Sequence, residues 1–218
     1  MAYKAVIIGG SGLIGRKLIN ILLQRPGYNE VICLSRKKIS IVADGLTQVI
    51  VDFDHLENYA EYIQGHACFC CIGTTKSKTP DITQYRKIDH DYPVRLAQIA
   101  KQNGMGEYHY VSSIGADKTS KTFYTNLKGE TEEDLKAAGL NALHIYRPSF
   151  LTGDRQESRL LETLLLGIMK IIDPLLVGSL KKYRSISANT VALAMFKQSL
   201  KNTPGIFTYE SDEIKQLA

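Results

Sequence analysis

The chain has 218 residues, of which 44% are hydrophobic and 22% charged, which suits one globular domain with a large core and excludes a disordered or fibrous chain. The formal charge of +5 is a mild basic excess, too small to argue for a nucleic-acid face, so no nucleic-acid partner is expected. Its 4 cysteines, Cys33, Cys68, Cys70 and Cys71, have neither zinc spacing nor a secreted disulfide pattern, and read as reduced core residues of a cytoplasmic protein.

Short apolar runs alternate with longer amphipathic ones, the pattern of βαβ units around a parallel sheet. The first predicted strand is Lys4–Ile8, followed by glycines and a helix over Leu13–Gln24 that stops before Pro26 and Gly27. Strands are predicted at Val31–Leu34, Thr47–Val51 and Ala67–Ile72; in the last, Cys68 and Cys70 share one face and Cys71 takes the other. A helix over Ile82–Gln102 follows, with a break or new first turn at Pro93. Strand Tyr108–Ser112, helix Thr125–Ala138 and strand Ala142–Tyr146 complete the regular part. The charged run Asp154, Arg155, Glu157, Arg159 reads as a solvated helix start, near where substrate recognition can occur. The apolar segment Leu160–Val177 could be a buried helix, a lid over an apolar substrate or a dimer contact. Glu162, Lys170 and Asp173 interrupt that region, so it does not read as a membrane span, and the N-terminus does not read as a signal peptide. The expected fold is α/β: one doubly wound, mainly parallel sheet in a single domain over 1–218, with a small substrate-side part from about 150.

The strongest motif is Gly9-Gly10-Ser11-Gly12-Leu13-Ile14-Gly15-Arg16, at the first strand-to-helix junction. Glycines permit the sharp turn and let backbone amides approach a diphosphate, while the helix start supplies free N–H groups and a positive dipole end. The expected diphosphate-binding residues are therefore Gly9, Ser11, Gly12, Leu13, Ile14 and Gly15 of a Rossmann-type turn. After the second strand, where an acid would hold an NAD ribose, the chain reads Ser35-Arg36-Lys37-Lys38. Arg36 and Lys37 suit a 2′-phosphate, which favours NADP(H) over NAD(H). Asp52 and Phe53, ending the third strand, read either as adenine contacts or as a helix cap and a core residue.

Tyr124 and Lys128 are four apart on a predicted helix and face one side; Ser112-Ser113 ends the strand before it. A tyrosine beside a lysine can exchange a proton with a substrate oxygen, which a serine hydroxyl steadies. The 5 histidines show no metal-ligand spacing, so no metal is expected, and His109 and His144 read as core or edge residues.

The stretches GGSGLIGRKL, VDFD, CFCCIGTTKSK, IDHDY, YVSSIGADKTS, YTNLKGETEEDL, YRPSFLTGDRQESR and ISANTVALAMF, in that order, resemble an atypical short-chain dehydrogenase/reductase, most closely the Tat-interacting-protein group. The resemblance implies Ser113 (or Ser112), Tyr124 and Lys128 as the catalytic set. It also implies that Ile72, Gly73 and Thr74 border the cofactor, with Arg147, Pro148 and Ser149 near the nicotinamide. Asp89 stands where many members of the superfamily carry a relay asparagine. The expected function is NADP(H)-dependent oxidoreduction of a small carbonyl or alcohol substrate by a monomer or homodimer. The alternatives are a non-catalytic NADP(H)-binding regulator and a nucleotide-sugar epimerase or dehydratase.

Overall fold

Residues 3–153 and 173–218 are described in the computed structural model. The first strand, β1 (Tyr3–Ile8), shows why the sheet is central: Ala5, Val6, Ile7 and Ile8 are all buried, so both of its faces are covered. Side chains alternate between two core layers. Ala5 and Ile7 face a layer with Leu18, Phe69, Tyr146 and Met195, while Val6 and Ile8 face Leu34, Leu96, Tyr108 and Leu143. Cys68 and Cys70 share the second layer, Cys71 packs against the first, and all four cysteines are free.

The strands after β1 are β2 (Tyr28–Ser35), β3 (Leu46–Ile50), β4 (Ala67–Cys70), β5 (Glu107–Val111), β6 (Ala142–Arg147), the short pair β7 (Leu151–Thr152) and β8 (Ile186–Ser187), and β9 (Gly205–Glu210). Seven of them form one sheet in the order β3-β2-β1-β4-β5-β6-β9, parallel throughout. The fold is thus the expected Rossmann-like α/β domain. Strand order reverses between β1 and β4, so the ligand crevice of such a sheet lies at their carboxyl ends.

Helix α1 (Leu13–Gln24) has the predicted limits and buries Ile14, Leu18, Ile19 and Leu22. The predicted helix over Ile82–Gln102 resolves into α2 (Ile82–Arg86), a π-helical turn over Lys87–Asp91 and α3 (Tyr92–Gln102). Pro93 explains the irregularity. It lacks the N–H that would bond the carbonyl of Asp89 four residues earlier, and that oxygen accepts instead from the Tyr110 hydroxyl at 3.4 Å and the Thr131 hydroxyl at 3.2 Å. Helix α4 (Phe123–Ala137) starts two residues before its predicted start, and Gly129 lets it lie against the preceding loop, since a Cβ there would be 2.2 Å from the Lys118 nitrogen.

The end of the chain joins the main body. Helix α5 (Ala188–Ser199) packs on α1, β9 becomes the seventh strand beside β6, and α6 (Ser211–Leu217) follows with a capping box between Glu210 and Glu213. Strand β9 lies at a sheet edge with its side chains partly exposed, so it lacks the continuous apolarity by which the buried strands announce themselves. The charged run Asp154–Arg159 and most of Leu160–Val177 lie outside the described residues; within the rest, Leu175 and Val177 are exposed. Among the described residues no helix is long and apolar enough to cross a membrane.

Candidate functional site

At the exit of β1 the backbone turns through Gly9, whose φ of 80° lies in the left-handed region. A Cβ on Gly9 would fall 2.4 Å from the carbonyl of Cys71, where the chain leaves β4, and one on Gly15 would fall 2.2 Å from the Gly9 oxygen. Both glycines are therefore required by close backbone approach. Gly12 is the N-cap of α1; no side chain caps it and no acid occupies the first turn. The leading amides of α1 stay free at the positive end of the helix dipole, beside the crevice between β1 and β4.

Across that crevice, Lys128 of α4 is only 3% exposed. Its ammonium lies 3.0 Å from Asp89 Oδ1, donates to the Tyr110 hydroxyl at 3.1 Å and to the Val111 carbonyl at 3.4 Å. Burial pushes the lysine pKa down, but Tyr110, Asp89 and Tyr124 more than offset this and hold it well above the ordinary value, so Lys128 is a cation at neutral pH. The second oxygen of Asp89 accepts from the Thr74 amide at 2.8 Å, in the loop after β4. Asp89 thus straps that loop to the lysine. Tyr124, one helical turn before Lys128, is 38% exposed.

The two serines after β5 differ. Ser112 is buried and donates at 2.5 Å to Glu132 Oε1, a carboxylate that also takes the Arg147 guanidinium at 2.9 Å and 2.5 Å. Ser113 makes one long bond, at 3.3 Å, to the neighbouring Ile114 carbonyl, which leaves its hydroxyl available.

A family described as NAD(P)H-binding matches residues 9–198, a span that holds the glycine turn, Asp89, both serines, Tyr124 and Lys128. The chain belongs to this NAD(P)H-binding family. Rat protein HTATIP2 is 36% identical over 164 residues, covering 73% of this chain and 67% of its own, which bears out the resemblance drawn from the motifs. The Aspergillus fumigatus protein fmp52, named as mitochondrial, is 31% identical over 209 residues, 93% of this chain and 89% of its own. The solved Bordetella bronchiseptica enzyme WbmH, in complex with NAD+, shares the fold with a TM-score of 0.72 at 18% identity, over 99% of this chain and 79% of that one.

The remaining expected residues of this NAD(P)H-binding protein fall in four groups. Arg36 and Lys37 are exposed just beyond β2, with Arg36 close enough to Tyr92 to act on it electrostatically. Asp52 and Phe53 have the contacts of a helix cap and a core residue. Asp52 accepts from the Asp54 amide at 3.0 Å, and Phe53, 6% exposed, packs its ring 5.3 Å from that of Tyr92. Ile72, Gly73 and Thr74 form the β4 exit loop beside Asp89. The Arg147 side chain turns to Glu132 and Glu210, so its guanidinium is committed to carboxylates, while the Pro148 carbonyl accepts from the Ile114 amide at 3.0 Å. Sequence reading missed Glu132 and Tyr110. Glu132 was findable, because Tyr124, Lys128 and Glu132 form an i, i+4, i+8 stripe along α4. Tyr110 was not, since nothing in its strand run marks it as the lysine's partner.

Proposed function

We propose that the protein is an NADP(H)-dependent oxidoreductase acting on a small carbonyl or alcohol. The crevice suits a dinucleotide: close backbone packing at Gly9 and Gly15 shapes the turn into α1, whose leading amides have no side-chain cap and no acid in the first turn. Bound there, the coenzyme supplies or takes up a hydride. The amides of the α1 start hold its diphosphate, and Arg36 and Lys37 hold its 2′-phosphate.

The rest falls to side chains of α4 and of the loop after β5. Tyr124 passes a proton to, or takes one from, the substrate oxygen, and Ser113 donates a hydrogen bond to that oxygen. Lys128 keeps a positive charge beside the phenol, and Asp89 holds the ammonium in place. The observation that carries this reading is the buried cation at Lys128, one turn from a solvent-accessible tyrosine. A buried lysine without such a use would be an expensive residue to keep.

The test is NADPH oxidation over a panel of small aldehydes and ketones. The parent protein is expected to turn over at least one of them. Tyr124→Phe should lose roughly 10²–10⁴-fold in rate with coenzyme affinity retained. Equal rates for the two proteins would remove the role assigned to Tyr124. A second reading, a regulator that binds NADP(H) without turnover, draws on the pairing of Lys128 with Asp89, which offsets the charge available to the phenol. Tight coenzyme binding with no turnover across the panel would select it.

A further inference from the structure

A second polar cluster lies in the same sheet, away from the crevice. On adjacent strands β5 and β6, His109 stands opposite His144, and Glu107 lies two residues back on the face of His109. The two imidazoles are stacked, 4.6 Å apart and 8° from parallel, and lie between Phe69 and Phe207, so that rings from β4, β5, β6 and β9 form one ladder. Glu107, His109 and His144 are 3%, 0% and 1% exposed.

Their inner atoms converge. Glu107 Oε2 lies 2.9 Å from His144 Nε2 and 3.5 Å from His109 Nε2, yet among the described residues none of these three buried atoms has a hydrogen-bond partner. One donor atom from each residue lies within 4.8 Å of the others. Ligands at zinc-to-nitrogen and zinc-to-oxygen distances of about 2.0–2.2 Å around a tetrahedral ion are roughly 3.3 Å apart, which the 2.9 and 3.5 Å separations bracket. The outer nitrogens are held as well: His109 Nδ1 lies 3.1 Å from the Tyr146 hydroxyl and His144 Nδ1 3.0 Å from that of Tyr209. In the tautomer whose Nδ1–H donates to the phenol oxygens, both Nε2 atoms are left without a proton, within 3.5 Å of one carboxylate oxygen. Three electron-rich atoms so arranged, in a dry aromatic setting, repel one another unless a cation stands between them.

We propose that Glu107, His109 and His144 bind one divalent transition-metal ion of the zinc class, with Tyr146 and Tyr209 as the outer shell that orients the imidazoles. Two imidazoles and a carboxylate are a donor set suited to zinc, cobalt or nickel rather than calcium or magnesium. A fourth position is left for the second Glu107 oxygen or a water. Burial makes the ion a structural one. It would clamp β5 to β6, the strands that deliver the serine pair and Arg147 at their carboxyl ends. Spacing along the chain hides the site, because strand pairing brings His144 to residues 35 and 37 positions earlier.

The experiment strips the full-length chain of metal in denaturant with EDTA and refolds it with or without Zn²⁺ or Co²⁺, so that slow entry to a buried site cannot mask binding. Fold is verified by circular dichroism, independently of coenzyme. The expected result is one ion per chain retained through desalting, cobalt d–d absorption of a four-coordinate site, and a melting temperature raised by the metal. Tyr209→Phe, at the sheet edge, should weaken the ion by roughly 10–100-fold, and Glu107→Gln by more. Folded parent protein that retains no ion and melts at one temperature with and without metal would overturn the proposal. So would equal retention by Glu107→Gln.

Discussion

Single residues separate chemistry from support most sharply at Ser112 and Ser113. Ser112 serves a buried carboxylate, so Ser112→Ala should destabilise the fold by about 1.5–3 kcal/mol, the worth of a hydrogen bond to a charged group, while turnover persists. Ser113→Ala should do the reverse, leaving the urea midpoint in place and lowering kcat. Paired denaturation and rate measurements on the two variants check both statements. Arg36 belongs to the same scale. Its guanidinium is exposed at the end of β2, and Arg36→Ala should weaken NADPH binding about tenfold or more while leaving NADH binding unchanged in calorimetry. Unchanged NADPH affinity would remove the 2′-phosphate assignment.

Among the elements, the π turn between α2 and α3 does the most. It exists because Pro93 cannot bond Asp89, and the freed carbonyl and carboxylate of Asp89 then reach Tyr110, Thr131, Thr74 and Lys128. The loop after β4, the helix of the catalytic candidates and strand β5 meet at one buried aspartate. Asp89→Ala should cost about 3–5 kcal/mol, since it strands a buried cation. The lysine's pKa is raised above its ordinary 10.5, so this contribution is complete below that pH and is lost as pH climbs through the folded-state value. Asp89→Asn keeps the shape and removes the opposing charge; its pH–rate profile should move to lower pH than the parent's, which a purely structural role would not produce.

For the whole molecule, ligand and fold are linked. A coenzyme that binds the crevice of the folded chain adds about 2.7 kcal/mol at a hundredfold excess over Kd, which for a domain of this size is roughly 5–10 °C in Tm. NADP(H) should give the larger shift and NAD(H) at equal concentration the smaller, by differential scanning fluorimetry. Fungal fmp52 is named as mitochondrial, so the cytoplasmic expectation stands beside a relative from another compartment.

Local chemistry decided much of this protein before it folded. Continuous apolar runs mark strands buried on both faces, the glycines mark a turn where backbone crowds backbone, and the tyrosine and lysine one helical turn apart share a side by geometry alone. These features depend on neighbours within a few residues, so they can be read along the chain. Other features depend on which strands become neighbours: the lysine's aspartate, the carboxylate shared by Ser112 and Arg147, the edge strand β9, and the facing of His109 with His144. A parallel sheet sets that adjacency through crossovers and register, and linear spacing carries no record of it.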